Sequence, residues 1–362
     1  MIVHLLIITI TLLYCSISSN NKKNGLMVLC IILYIVIGFR DYSVGVDTMH
    51  YIEEYRQTKL GSIDDLLMNF EPGRTLFFVF CKWVGLNSRF FMLLIAAIIV
   101  IPLYSINKLC CIWPCFTIFL YITIGLYSIN MTAIRQSIAI ALVMYGLYIA
   151  FLQNKTVNKV FVISVFILLA CSIHFTASFC LIMIPLLFVK NVSRRLIILL
   201  LPIPVVLIYT GSLMIDYLSV FSNIPKYAHY FNSEQTKEVN VVSYFLIPYC
   251  IFLFSTWLLL RRKTQSNRES YERKSVYFPY LCTLIYSSIS ALSLSFPIIA
   301  RTHFYYNFYA LIFISNMLYE QRKRSVLMKL CVCGVLVLCF LYFVISVPNG
   351  TLKVDNYSFS LE

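Results

Sequence analysis

The sequence predicts an all-α polytopic integral membrane protein with about 12 transmembrane helices, and three observations predict it. Apolar residues make up 60% of the chain and charged residues only 12%, whereas a soluble domain carries about a quarter charged residues. The apolar residues fall in runs long enough to span a bilayer, not in the alternation of strands. The basic residues cluster between those runs, so a net charge of +14 reports orientation in the membrane before it reports any nucleic-acid partner. One transmembrane domain over residues 1–362 is the expectation.

In chain order the runs suited to spanning are 2–19, 26–39, 90–105, 112–128, 134–152, 160–173, 176–190, 196–213, 241–260, 276–298, 302–319 and 326–347. The first lacks a basic leader and a small-residue cleavage site and is followed by Lys22 and Lys23. A retained helix with its N-terminus outside is the expectation. The run 74–85 is short for a span and contains Lys82, so it reads as a re-entrant or interfacial helix. With that run not crossing, the clusters Lys22–Lys23, Lys190 to Arg195, Arg261 to Lys274 and Arg322 to Arg324 share one face. That inner face holds 18 Lys and Arg against 3 Asp and Glu, the outer face 11 against 12, together the +14 of the chain. If 74–85 crossed, the basic clusters would oppose one another. Two outer loops are long, 40–89 and 214–240; the second carries Tyr227, His229 and Tyr230. Long loops in a compact membrane protein tend to be lids or binding elements. Most of the 13 cysteines lie inside apolar runs without metal-ligand spacing and read as small buried hydrophobes.

Polar residues gather where outer-facing spans begin or end. Arg40 closes the second span within Gly38 to Asp47, Arg135 opens the fifth, His174 separates the sixth and seventh, and Arg301 opens the eleventh. Arginines converging on one face suit a polyanion, because guanidinium binds phosphate bidentately and keeps its charge when desolvated. His174 and Asp47 supply candidate general bases. Each residue also has a plainer reading. Arg135 and Arg301 can snorkel at helix ends, and His174 can bond a backbone carbonyl. Asp47 can cap a helix over Thr48 to Gln57, with Tyr51 and Tyr55 one turn apart on one face. Tyr305 and Tyr306 read first as packing or an aromatic belt and second, with Tyr51, as weak glycan contacts. No Walker loop, GxSxG or HExxH string occurs, which argues against nucleotide-driven transport and the common hydrolases.

The string Gly38-Phe39-Arg40, then Gly45-Val46-Asp47, then Tyr51 resembles the "FR-x-x-x-x-G-x-D-x-x-x-Y" signature of EpsG-type proteins, a branch of the Wzy-like polysaccharide polymerases. Phe70-Glu71-Pro72-Gly73 is similar to that family's "EPG" element, Ile134-Arg135-Gln136-Ser137-Ile138-Ala139 to "IRQ-x-IA", and His174-Phe175-Thr176-Ala177 to "H-x-S/T-A". Arg301 with Tyr305 and Tyr306 is similar to the late "R-x-x-x-Y-F/Y" element. The chain departs from the pattern at Thr48, where an aromatic is usual, and adds His50.

The resemblance implies a GT-C-like helical fold in a bacterial inner membrane, with a metal-independent, cofactor-free glycosyltransferase site facing the periplasm. The growing glycan would move from undecaprenyl pyrophosphate to the non-reducing end of an incoming lipid-linked repeat unit. Arg135 and Arg301 would bind pyrophosphate, with Arg40 supporting them or bracing the Asp47 turn, and His174 or Asp47 would be the base. The implied partners are the carrier-linked oligosaccharide, membrane lipid and a chain-length regulator, with no nucleic acid. Two other readings stay open: an O-antigen ligase-like transferase, and a flippase or exporter of lipid-linked oligosaccharide.

Overall fold

The computed structural model describes residues 2–17, 22–58, 71–218, 241–262, 273–322, 325–346, 354 and 357–360. The second outer loop from 219 to 240, with Tyr227, His229 and Tyr230, lies outside the described residues, as does 59–70 of the first.

Among the described residues the chain is helical, with one isolated antiparallel bridge between Arg40 and Phe359. It divides into two units, Met1–Ile184 with Leu318–Glu362, and Pro185–Met317. The first unit holds α1 (Ile2–Ile17), α2 (Lys22–Gly38), α3 (Thr48–Gln57), α4 (Pro72–Trp83), α5 (Ser88–Cys110), α6 (Pro114–Thr123), α7 (Leu126–Thr132), α8 (Ile134–Leu152) and α9 (Thr156–Ile173). A 3-10 stretch, Phe175–Ile182, follows directly. The second unit contains α10 (Arg194–Leu200), α11 (Ile203–Leu218), α12 (Ile247–Leu260) and α13 (Phe278–Leu292). Next come α14 (Phe304–Gln321), which begins there, and α15 (Val326–Ser346), which belongs to the first unit.

Among the described residues six helices are long and apolar enough to cross a membrane, and a seventh if α6 and α7 form one broken span. Four shorter apolar helices, Ile2–Cys15, Asn24–Gly38, Phe175–Leu186 and Ile247–Leu260, correspond to four further predicted runs. The predicted run 302–319 is matched by α14, which carries the buried polar residues Asn307, Ser315 and Asn316 and reads weakly by hydropathy. The architecture is therefore that of a polytopic helical membrane protein.

Two predicted runs take unexpected forms, and a third, 74–85, is helical as expected. The run 112–128 is bent by 61° between α6 and α7, and the second half carries the chain to Ala133, immediately before α8. The run 176–190 opens as a 3-10 coil, whose rise of about 2.0 Å per residue stretches a short segment further than an α-helix would. The run 74–85 is the helix α4, with Pro72 at its first positions, where a missing N–H costs nothing.

In the first unit α8 packs on α5 and α9, α2 on α5 and α6, and α4 on α9. Asn87 caps α5, its side chain accepting from the Phe90 amide at 2.9 Å. Phe78 and Phe91 enclose Tyr55, whose ring stacks on Phe91 at 4.0 Å while its hydroxyl donates to the Leu86 carbonyl at 2.6 Å. That core fixes α3 and α4 against the start of α5, leaving Glu71, at the N-terminus of α4, beside the α8 and α9 ends. Most of the apolar surface of α9 and α15 is left uncovered, as lipid-facing helices require.

Candidate functional site

The opening signature is a docking device built on one carbonyl. Arg40 is completely buried; its Nη1 donates to the Ile37 carbonyl and its Nη2 to the Met131 carbonyl, the latter at 3.1 Å. The same Met131 oxygen accepts from Thr48 Oγ1 at 3.0 Å. Gly45 adopts φ +93, and a Cβ there would strike the Met131 carbonyl oxygen and lie 2.8 Å from Thr48 Oγ1. Only glycine meets both the left-handed backbone and the close approach. Thr48, the departure from the resemblance, thus has a specific role, since its hydroxyl also reaches the Val44 carbonyl at 2.8 Å. Arg89 closes the arrangement from α5, donating to the carbonyls of Gly38 at 3.2 Å and Arg40 at 2.9 Å. Burial pushes the Arg40 guanidinium down to about 10, against the opposing influence of Tyr357 and Tyr127, so it remains a cation at neutral pH.

Of the two roles expected for Arg40, supporting the pyrophosphate site or bracing the Asp47 turn, this geometry suits the brace. A fully buried guanidinium with both amino groups bonded to carbonyls has nothing to offer a substrate. It braces the turn, and through Met131 it sets where Arg135 begins α8, four residues later.

The hub of the site is a residue absent from the expected catalytic set, Glu71. Its Oε2 accepts from Arg135 Nη1 at 3.0 Å, and its Oε1 meets His174 Nδ1 at 3.1 Å and the Phe175 amide at 3.4 Å. Arg135 Nε donates to Tyr51 Oη at 2.8 Å, and the guanidinium lies 5.5 Å from the Tyr51 ring centre. Four elements therefore converge: α3 supplies Tyr51, the start of α4 Glu71, the start of α8 Arg135 and the end of α9 His174. Burial acts to raise the Glu71 carboxyl, but the hydrogen bond and charge of His174, with Arg135 and the Phe175 amide, outweigh it and hold the group below its ordinary value. Burial raises the Tyr51 phenol, with Arg135 opposing, so it donates or accepts as a neutral hydroxyl.

His174 Nδ1 faces the Glu71 carboxylate at 3.1 Å, and its Nε2 is buried without a hydrogen-bond partner. Arg135 has Nε and Nη1 engaged, leaving Nη2 for an anion. Gly73 explains the glycine of the EPG element: a Cβ there would come within 2.8 Å of Ser172 Cβ and 2.9 Å of its carbonyl carbon, so α4 can approach α9 only without one. Arg74, next in the chain, pairs with Glu54 at 2.7 Å.

The remaining expected residues divide between the two units. Asp47 is the N-cap residue of α3 but makes no side-chain cap bond; its charge acts on Tyr51. His50 is exposed beside the Tyr51 ring, 5.9 Å between centres. Arg301 is exposed at the end of the 3-10 stretch Pro297–His303 in the second unit. Tyr305 and Tyr306 are buried, at 1% and 0% exposure, and present no ring face to a sugar; burial gives them the packing role. Phe70 lies outside the described residues. Among the described residues no group of three or more His, Cys, Asp or Glu side chains is placed to hold a metal.

The signal that could have singled out Glu71 was in the sequence: a carboxylate directly before a proline that opens a helix, within a motif otherwise made of backbone-shaping residues. Arg89 gave no such signal, since a lone arginine at a helix start looks like any interfacial cation.

No curated protein and no solved structure matches the chain. The EpsG family model matches residues 5–359, nearly the whole length. That span takes in the docking turn, the Glu71 hub and the residues of the last bridge, and the chain belongs to the EpsG family, which includes Wzy-like polymerases.

Proposed function

We propose that this protein is a membrane glycosyltransferase that polymerises lipid-linked oligosaccharide repeat units, with Glu71, Arg135 and His174 as its working centre. The observation that carries the reading is one carboxylate bonded to both an arginine and a histidine, the arrangement a base and an anion site need side by side.

The acceptor sugar hydroxyl attacks the anomeric carbon of the donor glycan. The bond from that carbon to the pyrophosphate oxygen breaks, and the lipid pyrophosphate leaves with the electron pair. The hydroxyl proton passes to His174 Nε2, and Glu71 stabilises the imidazolium that forms, as the carboxylate does in a catalytic triad. Arg135 Nη2 meets a phosphate oxygen and stabilises the charge that builds on the leaving group. His174 is preferred to Asp47 as base because a second group orients it, whereas Asp47 is held by no side-chain cap bond. Arg301 keeps its phosphate role on the motif resemblance.

The proposed placement is a bacterial inner membrane with the site facing the periplasm, 12 spans and α4 not crossing. Pair geometry supports that count. Glu71 and Arg135 are bonded, so an even number of crossings separates them; α5 and the bent α6–α7 pair, taken as one broken span, supply two, which agrees with α4 not crossing. Arg135 and His174 share Glu71, and α8 and α9 again supply two. A hydrophilic face gathered at one side favours one-sided chemistry over a lumen open to both.

The test is chain extension in membranes supplied with carrier-linked repeat units. Arg135→Ala and His174→Ala, inserted at wild-type levels, are expected to give no polymer ladder. Full-length polymer from both variants would sink the assignment, and single additions to lipid A core would point to a ligase instead.

A further inference from the structure

We propose that residues 357–360 form a positioning strap that holds the docking turn, and hence Arg135, in place; the functional part of this inference rests on the polymerase reading above. The juxtaposition joins the two ends of the sequence. The Asp41 amide donates to the Ser358 carbonyl at 2.9 Å and the Ser360 amide to the Phe39 carbonyl at 3.0 Å, flanking the Arg40–Phe359 bridge. Tyr357 donates its hydroxyl to the Val36 carbonyl in the last turns of α2. Upstream, Val354 is buried, its carbonyl 2.7 Å from His4 Nε2, and the His4 ring meets Tyr127, Phe343 and Tyr357 edge-on.

The strap acts on the backbone of the signature, whereas Met131 meets its side chains. Residues 39–41 are an extended segment between α2 and the 41–47 turn, and an unpaired extended segment satisfies its backbone groups only with water. The Ser358–Ser360 strand supplies those partners. Arg40, whose side chain grips Ile37 and Met131, is thereby fixed through its backbone as well. The path from strap to site is short: Arg40 to Met131, then four residues to Arg135. The strap also places the end of α2 and the segment after α15 on one side of the membrane, again requiring an even number of crossings between them.

The test uses the full chain in lipid nanodiscs and three variants. Ser360→Pro removes the amide that bonds Phe39, Ser360→Ala keeps it, and Tyr357→Phe removes only the bond to Val36. Hydrogen exchange over residues 41–51 is expected to run about two- to tenfold faster in Ser360→Pro, the share of one net hydrogen bond, less so in Tyr357→Phe, and unchanged in Ser360→Ala. Chain extension is expected to fall in Ser360→Pro through kcat with KM held, and to stay at the wild-type rate in Ser360→Ala. Equal exchange in the proline and alanine variants overturns the strap, as does faster exchange with extension intact. If Ser360→Pro does not insert, Tyr357→Phe decides on the same readings. If the wild-type protein extends no chains, the polymerase reading fails, and exchange still decides whether the strap holds the turn.

Discussion

Replacing Glu71 by Gln tests the core of the proposed mechanism. The substitution keeps shape and volume but removes the charge that His174 and Arg135 share. A hydrogen bond to a charged group contributes about 1.5–3 kcal/mol when half-buried, and the His174 contact at 3.1 Å is of that kind. The Arg135 pair is a smaller term, because its side chain is 35% exposed and solvent screening leaves such pairs about 0–1 kcal/mol. The larger consequence is protonic. A glutamine amide can donate to Nδ1 as readily as accept from it, which puts the imidazole proton on Nε2 and abolishes the base. Loss of the orienting carboxylate in a Ser-His-Asp triad lowers turnover by about 10⁴, so a fall of about 10²–10⁴ is expected here. The assay is the initial rate of chain extension with purified lipid-linked repeat units, read as kcat and KM separately. The fall should lie in kcat, with KM within about threefold of wild type, since the interaction strengthens only as the imidazolium forms. In the double variant with His174→Ala the two losses should fail to add, because both act through one nitrogen. A Glu71→Gln protein that retains more than about a third of the wild-type rate, or losses that multiply, would refute the orienting role.

Three further outcomes follow from the geometry. Gly73→Ala is expected to lower thermal stability by about 1–3 kcal/mol, the range for overpacking a closed contact, with Ser172→Gly restoring part of it; a melt in nanodiscs that is unchanged would place α4 away from α9. Arg40→Lys is expected to destabilise, because one ammonium cannot span the Ile37 and Met131 carbonyls as a guanidinium does, and to lower extension without changing the anion dependence of Arg135. Glu71 has its carboxyl held below the ordinary value, so its contribution to stability is fully present above the unfolded value of about 4.3 and is lost as pH falls through the lower, folded value. The wild-type melting advantage over Glu71→Gln should therefore be flat down to about pH 5 and shrink only below it; an advantage that fades near pH 7 would assign it to another group.

Much of the scaffold was legible because membrane insertion writes itself into composition. A bilayer demands apolar runs and charge asymmetry, and both survive in the sequence without knowledge of packing. The locations of Arg135 and His174 followed from the same logic, as polar groups at span ends. What was not legible depends on where the chain returns to itself. Arg40 and Arg135 look alike in sequence, each an arginine at a span end. The Met131 carbonyl, 91 residues away, makes the first a buried brace, while Glu71 and Tyr51 hold the second beside a histidine. The bend after α6 was hidden for the same reason: hydropathy averages over a break, and the 112–128 run reads as continuous. The pairing of Phe39 to Asp41 with Ser358 to Ser360 has no local signal at all, since two short extended segments carry no periodicity.

Under the proposed mechanism, the charge balance of the site gives a reason for a carboxylate beside the position proposed for a phosphate. An arginine facing a membrane interior alone costs about 2.5–3.5 kcal/mol on insertion scales, and an arginine with a protonatable histidine and no anion would be worse. Glu71 neutralises Arg135 before substrate arrives and leaves one amino group, Nη2, as the opening for pyrophosphate. In the proposed reaction Arg135 Nη2 meets the arriving pyrophosphate and His174 Nε2 the acceptor proton, and Glu71 couples the two because it bonds both side chains. A lone arginine and a lone histidine at the same positions would lack that coupling. On the proposed mechanism the carboxylate at 71 joins two separate span-end residues into one unit, so its removal should lower chain extension even where both side chains remain.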